Sequence, residues 1–339
     1  MSMLPAAPGC IDPSPAQPWP PLDVVTYGEA MALLIAAQAG PLAGVTQFEK
    51  RLAGAETNVA IGLARLDLKV GWVSRLGADS FGAFIRASVM REHVDCSHVT
   101  SDALHTTGMM LKTRAQDGQD PEIEYFRRGS AASHLSLADF DEAYFGSARH
   151  LHATGIAPAL SASTLAFATH ALEWMREQGK TISFDPNLRP TLWASESVMR
   201  EQINRLAGYA NWVLPGLTEG QVLTGYTSPG DIAAFYLERG AQLVVVKCGA
   251  EGAYYRTAET EGSMPAIPVA QVVDTVGAGD GFAVGVVSAL LEGLALEAAV
   301  ARGNLIGAQA VQVLGDMEGL PTRQRLVELS RSALVVAVR

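Results

Sequence analysis

Residues 274–283 read DTVGAGDGFA, a run of tiny and polar residues that passes directly into an apolar, helix-forming stretch. Glycine lets the backbone come close to an anion. The amides of Gly277, Ala278 and Gly279, set at a helix N-terminus, would form a concave group of donors whose dipole favours negative charge. Such a site suits a phosphoryl group in transfer. Just inside it stands Asp280, a carboxylate placed to accept the proton of an attacking hydroxyl as its oxygen bonds to phosphorus. A glycine turn with an aspartate in the first helical turn also occurs with no chemistry attached, so the segment alone leaves both readings open. It lacks the lysine of GxxxxGK[ST], and it lies too late in the chain for a dinucleotide fingerprint.

The elements that must position this turn follow a βα rhythm. Residues 23–27, 70–74, 150–154, 181–185, 212–215 and 243–247 read as buried strands, and 56–66, 81–92 and 163–178 carry helical periodicity between them. The expected fold is therefore α/β, a doubly wound, mostly parallel sheet flanked by helices. Two stretches break the rhythm. Residues 32–50 and 105–128 contain extended, alternating pieces at 108–113 and 122–127, which predict either a small β-sheet lid over the ligand crevice or two ordinary surface hairpins. One α/β domain over 22–330 is expected, with a proline-rich leader at 1–21 and a C-terminal strand or tail at 331–339.

The chain has 339 residues, 48% of them apolar and 18% charged, and a formal charge of -10. That charge speaks against non-specific binding to nucleic acid or anionic membranes, which would repel it. No apolar run reaches the roughly 18 residues of a membrane span. Three cysteines far apart, without CxxC spacing, predict neither a disulfide framework nor a thiolate zinc site, and a cytoplasmic location is expected. His150 and His152 would share one face of a strand, but no third metal ligand is apparent.

With these residues in view, DTVGAGDGFAVG resembles the carboxyl-side signature of the ribokinase-like, or PfkB, carbohydrate kinases. AGAETNVA at 53–60 and RLGADSFG at 75–82 resemble its amino-side signature, so the likeness spans nearly the whole chain after the leader. Asp67 departs from it where a small residue is usual. The resemblance implies an ATP-dependent kinase with Asp280 as general base and the 277–279 amides as anion hole. It also implies a nucleotide site built from Lys247, Gly249, Glu251, Gly252 and Asn304, although Gly249 and Gly252 by themselves equally describe a hairpin turn. Mg²⁺ is implied with ATP, and K⁺ is an accessory the resemblance allows. The family often carries PNxxE; here Pro215, Gly216 and Glu219 remain, and Glu219 is the expected magnesium contact, through water.

Many neutral-sugar kinases of this family place an aspartate in the first lid strand, where this chain has Leu33 within GEAMALL. Loss of that acceptor, with Arg127 and Arg189 retained, shifts the expectation to an anionic acceptor. EIEYFRRGSAAS and SFDPNLRP resemble the 2-keto-3-deoxygluconate kinases in particular, which implies that Tyr125 and Arg127 from the lid and Arg189 from the main domain hold a sugar acid. Gly54 and Asn58 would line its chain. Met109 or Met110 stands where that branch has a second lid tyrosine. Alternatively, Arg127 and Arg128 are a solvated basic pair and Arg189 steadies its own loop. The expected activity is phosphorylation of 2-keto-3-deoxygluconate to its 6-phosphate. The alternatives are a kinase for a neutral sugar such as fructose or ribose, or a non-catalytic sugar- or nucleotide-binding regulator. Lid sheets of such kinases often pair between subunits, so a homo-oligomer is expected.

Overall fold

A computed structural model describes residues 20–114 and 121–337. Residues 1–19 of the leader expected at 1–21, and the centre of the second lid segment, lie outside the described residues. The strands are β1 (Leu22–Tyr27), β2 (Met31–Ala36), β3 (Phe48–Ala53), β4 (Val70–Gly77), β5 (Val99–Asp102), β6 (Met109–Lys112), β7 (Ile123–Phe126), β8 (Ala148–Thr154), β9 (Thr181–Asp185), β10 (Trp212–Val213), β11 (Leu243–Lys247), β12 (Ala253–Arg256) and β13 (Glu261–Met264). The helices are α1 (Ala55–Arg65), α2 (Ser80–Arg91), α3 (Glu142–Ser147), α4 (Ala162–Glu177), α5 (Glu196–Ala207), α6 (Leu217–Thr224), α7 (Pro229–Leu237), α8 (Ala278–Leu291), α9 (Leu296–Ala310) and α10 (Arg323–Ala337).

Nine strands form one sheet in the order β13-β12-β11-β10-β9-β8-β1-β4-β5, parallel throughout except for β12 and β13 at one edge. The chain first steps from β1 outward to β4 and β5, then returns to the other side of β1 through β8 and β9. That reversal opens a crevice at the carboxyl ends of β1 and β8, the position at which open α/β sheets bind ligands. The alternation within β1 shows why both faces are covered: Val25 and Tyr27 enter a core with α4, α5 and α7, while Val24 enters a core with α1, α8 and α9. His150 and His152 are wholly buried in β8 and bonded to Thr181 and Ser183 at 2.8 Å. Burial drives both to the neutral form, His152 down to about 3, and His150 stacks on Trp212. They are core histidines: both ring nitrogens of His150 are bonded, and His152 is held through Nδ1 alone, its Nε2 being buried without a partner.

The second sheet has the order β3-β2-β6-β7 and a small core of its own from Met31, Leu33, Ile35, Ala53 and Met110. This is the lid reading of the two irregular segments, with β3 running three residues beyond the expected boundary. Two other expectations need correction. The strand expected over 212–215 stops at Val213, and of the strand or tail expected at 331–339, residues 331–337 continue α10 as helix. Asp67 adopts φ 65 just after α1, so its departure from a small residue falls where a side chain is strained.

Candidate active site

The crevice residues come from strand ends. Glu29 follows β1, Thr154 ends β8, Asp185 ends β9 and leads to Asn187 and Arg189, Lys247 ends β11, and α8 presents Asp280 from its first turn. Gly277 caps α8 at φ 83, and a Cβ there would stand 2.3 Å from the Asp316 carbonyl oxygen. Only glycine meets both demands. Opposite, α1 packs so closely on α8 that a Cβ on Gly62 would lie 2.5 Å from Val284 Cγ2. That close approach brings Asn58 Nδ2 within 2.8 Å of Asp280 Oδ2, across 222 residues of sequence. Asn187 Nδ2 reaches Asp280 Oδ1 at 3.4 Å.

Burial pushes the Asp280 carboxyl up to about 7. The negative charges of Asp185 and Asp316 add to the rise, while the Asn58 hydrogen bond and Lys247 oppose it. A carboxylate tuned near neutrality is suited to general-base work. Asn58→Ala removes the strongest opposing contact, so the acid limb of the activity–pH profile is expected to move upward from about 7. An unmoved limb in kcat/KM against pH would show that another group sets it.

Two cavities meet at the glycine turn, sharing Thr275 and Gly279. One, of about 690 Å³, is walled by Lys247, Gly249, Gly252, Phe282, Asn304 and apolar residues of the 266–272 segment. Lys247 Nζ pairs with Asp185 Oδ2 at 2.6 Å; burial works against its ammonium, but Asp185 and Glu219 outweigh it and hold its pKa above the usual lysine value. Gly249 and Gly252 are both hairpin and wall, because the β11–β12 connection turns along the cavity. Asn304 is buried in the wall with its Nδ2 already donating to the Met264 and Pro265 carbonyls at 3.1 and 2.9 Å. Glu251 is the exception among these residues: it stands exposed on the turn, outside the wall.

The other cavity, of about 390 Å³, lies between lid and main sheet and is lined by Gly54, Asn58, Tyr125, Arg127, Arg189 and Asp280 among others. All of the expected acceptor residues therefore converge. Arg127 is not part of a solvated pair: it is buried, and its Nε and Nη2 approach Glu29 Oε2 at 2.6 and 2.5 Å, while Arg128 is exposed. Arg189 does steady its loop, donating from Nη1 to the Leu188 carbonyl at 2.8 Å, yet this uses one of five donors and the side chain still lines the cavity. Leu33 is buried in the lid core and takes no part in this wall. Beside Asp280, the cavity is lined by the carboxylates of Glu29, Glu56 and Asp316, which motif reading missed. Glu56 accepts from Thr154 Oγ1 at 2.6 Å, its carboxyl is raised by burial, and its Oε2 is buried without a partner, as is Asn58 Oδ1. Both acceptors belong to residues that line the cavity and are free to take a hydrogen bond from a donor that enters it.

Glu219 receives the Gly216 N–H on Oε2 at 2.7 Å and the Leu188 N–H on Oε1 at 2.8 Å, which ties the loop bearing Asn187 and Arg189 to α6. Among the described residues no three His, Cys, Asp or Glu side chains form a metal cage. No helix among them is long and apolar enough to cross a membrane.

Two cavities that meet at a glycine-opened helix N-terminus, one of them holding a buried carboxylate raised to about 7, form a layout suited to group transfer between two bound molecules. The model of the pfkB family of carbohydrate kinases matches residues 21–323, and the chain belongs to that family. It is an ATP-dependent sugar kinase with the ribokinase-like fold. The chain is 52% identical to the 2-dehydro-3-deoxygluconokinase of Bacillus subtilis (strain 168), over 90% of this chain and 94% of that one. Among solved structures it is similar to a PfkB protein from Polaromonas sp. JS666, 56% identical with a TM-score of 0.84, covering 90% of this chain and 99% of that one. It is also similar to a putative ribokinase II from E. coli in complex with ATP and Mg²⁺, 26% identical with a TM-score of 0.85, covering 92% and 99%.

Proposed function

We propose that the acceptor is 2-keto-3-deoxygluconate, the acid also called 2-dehydro-3-deoxygluconate in the name of the Bacillus relative, and that it is phosphorylated at its terminal hydroxyl. The observation that carries the proposal is the convergence of Arg127 and Arg189 with Asp280 on one cavity. The two guanidinium groups hold the carboxylate and so direct the far end of the molecule at Asp280. Asp280 takes the hydroxyl proton, the oxygen forms its bond to the γ-phosphorus, the bond from that phosphorus to the β-γ bridging oxygen breaks, and ADP leaves with the electron pair. The amides of Gly277, Ala278 and Gly279 receive the charge that grows on the transferring group. Lys247, Gly249, Gly252 and Asn304 border the ATP. Mg²⁺ would be held mostly by phosphate oxygens and water, and Glu219, whose two oxygens already accept the Gly216 and Leu188 N–H groups and which lines neither cavity, would reach it through water alone; the ion would neutralise charge on the β and γ phosphates. The lid edge strand β7 exposes Tyr125 and Phe126, which supports pairing of lids in a homo-oligomer. A cytoplasmic location agrees with ATP as donor.

A neutral sugar is the second reading, and Glu29 and Glu56 favour it, since carboxylates in the acceptor cavity accept from hydroxyls. ADP release with magnesium-ATP against 2-keto-3-deoxygluconate, 2-keto-3-deoxygalactonate, gluconate, fructose, ribose and adenosine decides between them. The keto-deoxy acid is expected to give much the highest kcat/KM. Preference for fructose or ribose would remove the arginine clamp and leave the kinase.

A further inference from the structure

Strand β6 ends in Lys112, a lysine with no solvent exposure at all. Its Nζ lies 2.5 Å from Asp274 Oδ2 and 3.6 Å from Asp316 Oδ1, both carboxylates being buried themselves. Those two aspartates brace the glycine turn from opposite sides. Asp274 opens the DTVGAGD segment and accepts the Val276 N–H on Oδ1 at 3.1 Å and the Gly315 N–H on Oδ2 at 3.4 Å. Asp316 places its carbonyl oxygen directly against Gly277. Two buried carboxylates so near each other repel, and burial already pushes Asp316 up to about 6 despite the lysine. A cation between them offsets that repulsion and holds both braces in place.

The position of this ammonium is unusual for a plain structural ion pair. It belongs to the lid, 162 residues from Asp274 in sequence, yet it acts on backbone that ends at the first of the proposed phosphate-facing amides. A small monovalent cation lodged between the same carboxylates would do the same electrostatic work. We propose that Lys112 is a positioning residue, a cation built into the lid that holds the glycine turn in its phosphate-binding shape, so that this kinase turns over without a bound monovalent cation. The inference rests on reading 277–279 as the anion hole.

The test compares K⁺, NH₄⁺ and tetramethylammonium salts at constant ionic strength. The native enzyme is expected to work equally well in all three. Lys112→Ala, which leaves space at the carboxylates, is expected to lose on the order of 10²-fold in kcat in tetramethylammonium, as a misplaced catalytic turn would. K⁺ or NH₄⁺ should restore much of that loss, a rescue that a merely structural link would not show. If Lys112→Ala does not fold in tetramethylammonium, its Tm is expected to recover in K⁺ or NH₄⁺. A native enzyme that stops without K⁺, a fully active variant in tetramethylammonium, or a defect blind to the cation would each overturn the proposal. Asp280→Asn serves as the reference: inactivity in every cation marks loss of the base, and retained activity there would instead refute the reading of the site.

Discussion

Asp280→Asn is expected to lower kcat by a factor of about 10²–10⁴, the range that positioned proton transfer contributes, while the KM for ATP stays close to its native value. The cavity proposed for the nucleotide does not include Asp280, which is why donor binding should survive. The same substitution is expected to raise stability at neutral and alkaline pH. A carboxyl whose pKa is raised from 3.8 to about 7 by folding favours the fold only while protonated. Its contribution is full below the unfolded value and is lost as pH rises through about 7, so above that pH the native protein carries a charge it would rather not bury. Asparagine keeps the shape without the charge, and a Tm gain of a few degrees at pH 8 that vanishes near pH 4 is expected. Single-turnover kinetics and thermal melts across pH check both halves. A variant that keeps native turnover would end the general-base assignment, and one that melts lower at pH 8 would contradict the buried charge.

Arg127→Ala combines the two largest penalties available at the acceptor end. Glu29 has a fully buried side chain and would be left with Ser130 Oγ, at 2.5 Å, as its remaining hydrogen-bond partner. Orphaning a buried charge costs about 3–5 kcal/mol. Separately, loss of a charged hydrogen bond to the sugar acid, worth about 1.5–3 kcal/mol, should raise its KM by one to two orders of magnitude. The double variant with Glu29→Gln separates the effects, since it removes the orphaned charge as well. Stability is expected to return in the double variant and the KM for the acid is not. If KM for fructose or ribose rises as much as KM for the acid, the guanidinium holds no carboxylate.

What could be read from the chain ahead of its fold was whatever is local. The strands at 181–185 and 243–247 and the glycine turn carry their signals within a few residues: buried β-branched runs, or glycines opening a helix. The lid was legible for the same reason, through the alternation in 108–113 and 122–127. Residues 331–337 misled because a β-branched run there continues a helix already under way from Arg323. The chemistry missed was non-local throughout. Glu29 meets Arg127 across 98 residues, Asn187 meets Asp280 across 93, and Lys112 meets Asp274 across 162. No spacing rule links such residues, because their neighbourhood is made by the order of strands in the sheet. Leu33 shows the reverse error: its type suggested that the cavity lacked a carboxylate, when the turn after β1 supplies one four residues earlier.

The wall of the larger cavity bears on which donors the enzyme accepts. Ile267, Pro268, Val269, Val272, Phe282 and Val311 give a flat apolar slot, and the one amide beside it, Asn304, already spends its donors on backbone carbonyls. A slot of this kind grips an aromatic ring by dispersion and exclusion of water, with little reading of its edge. In the proposed nucleotide cavity, purines that differ only in their exocyclic groups are then expected to bind nearly alike, with the triphosphate rather than the base as the main handle. Nucleobase tolerance is thus the expected consequence of the hydrocarbon of the 266–272 segment, with stringency expected at the acceptor on the far side of Gly279.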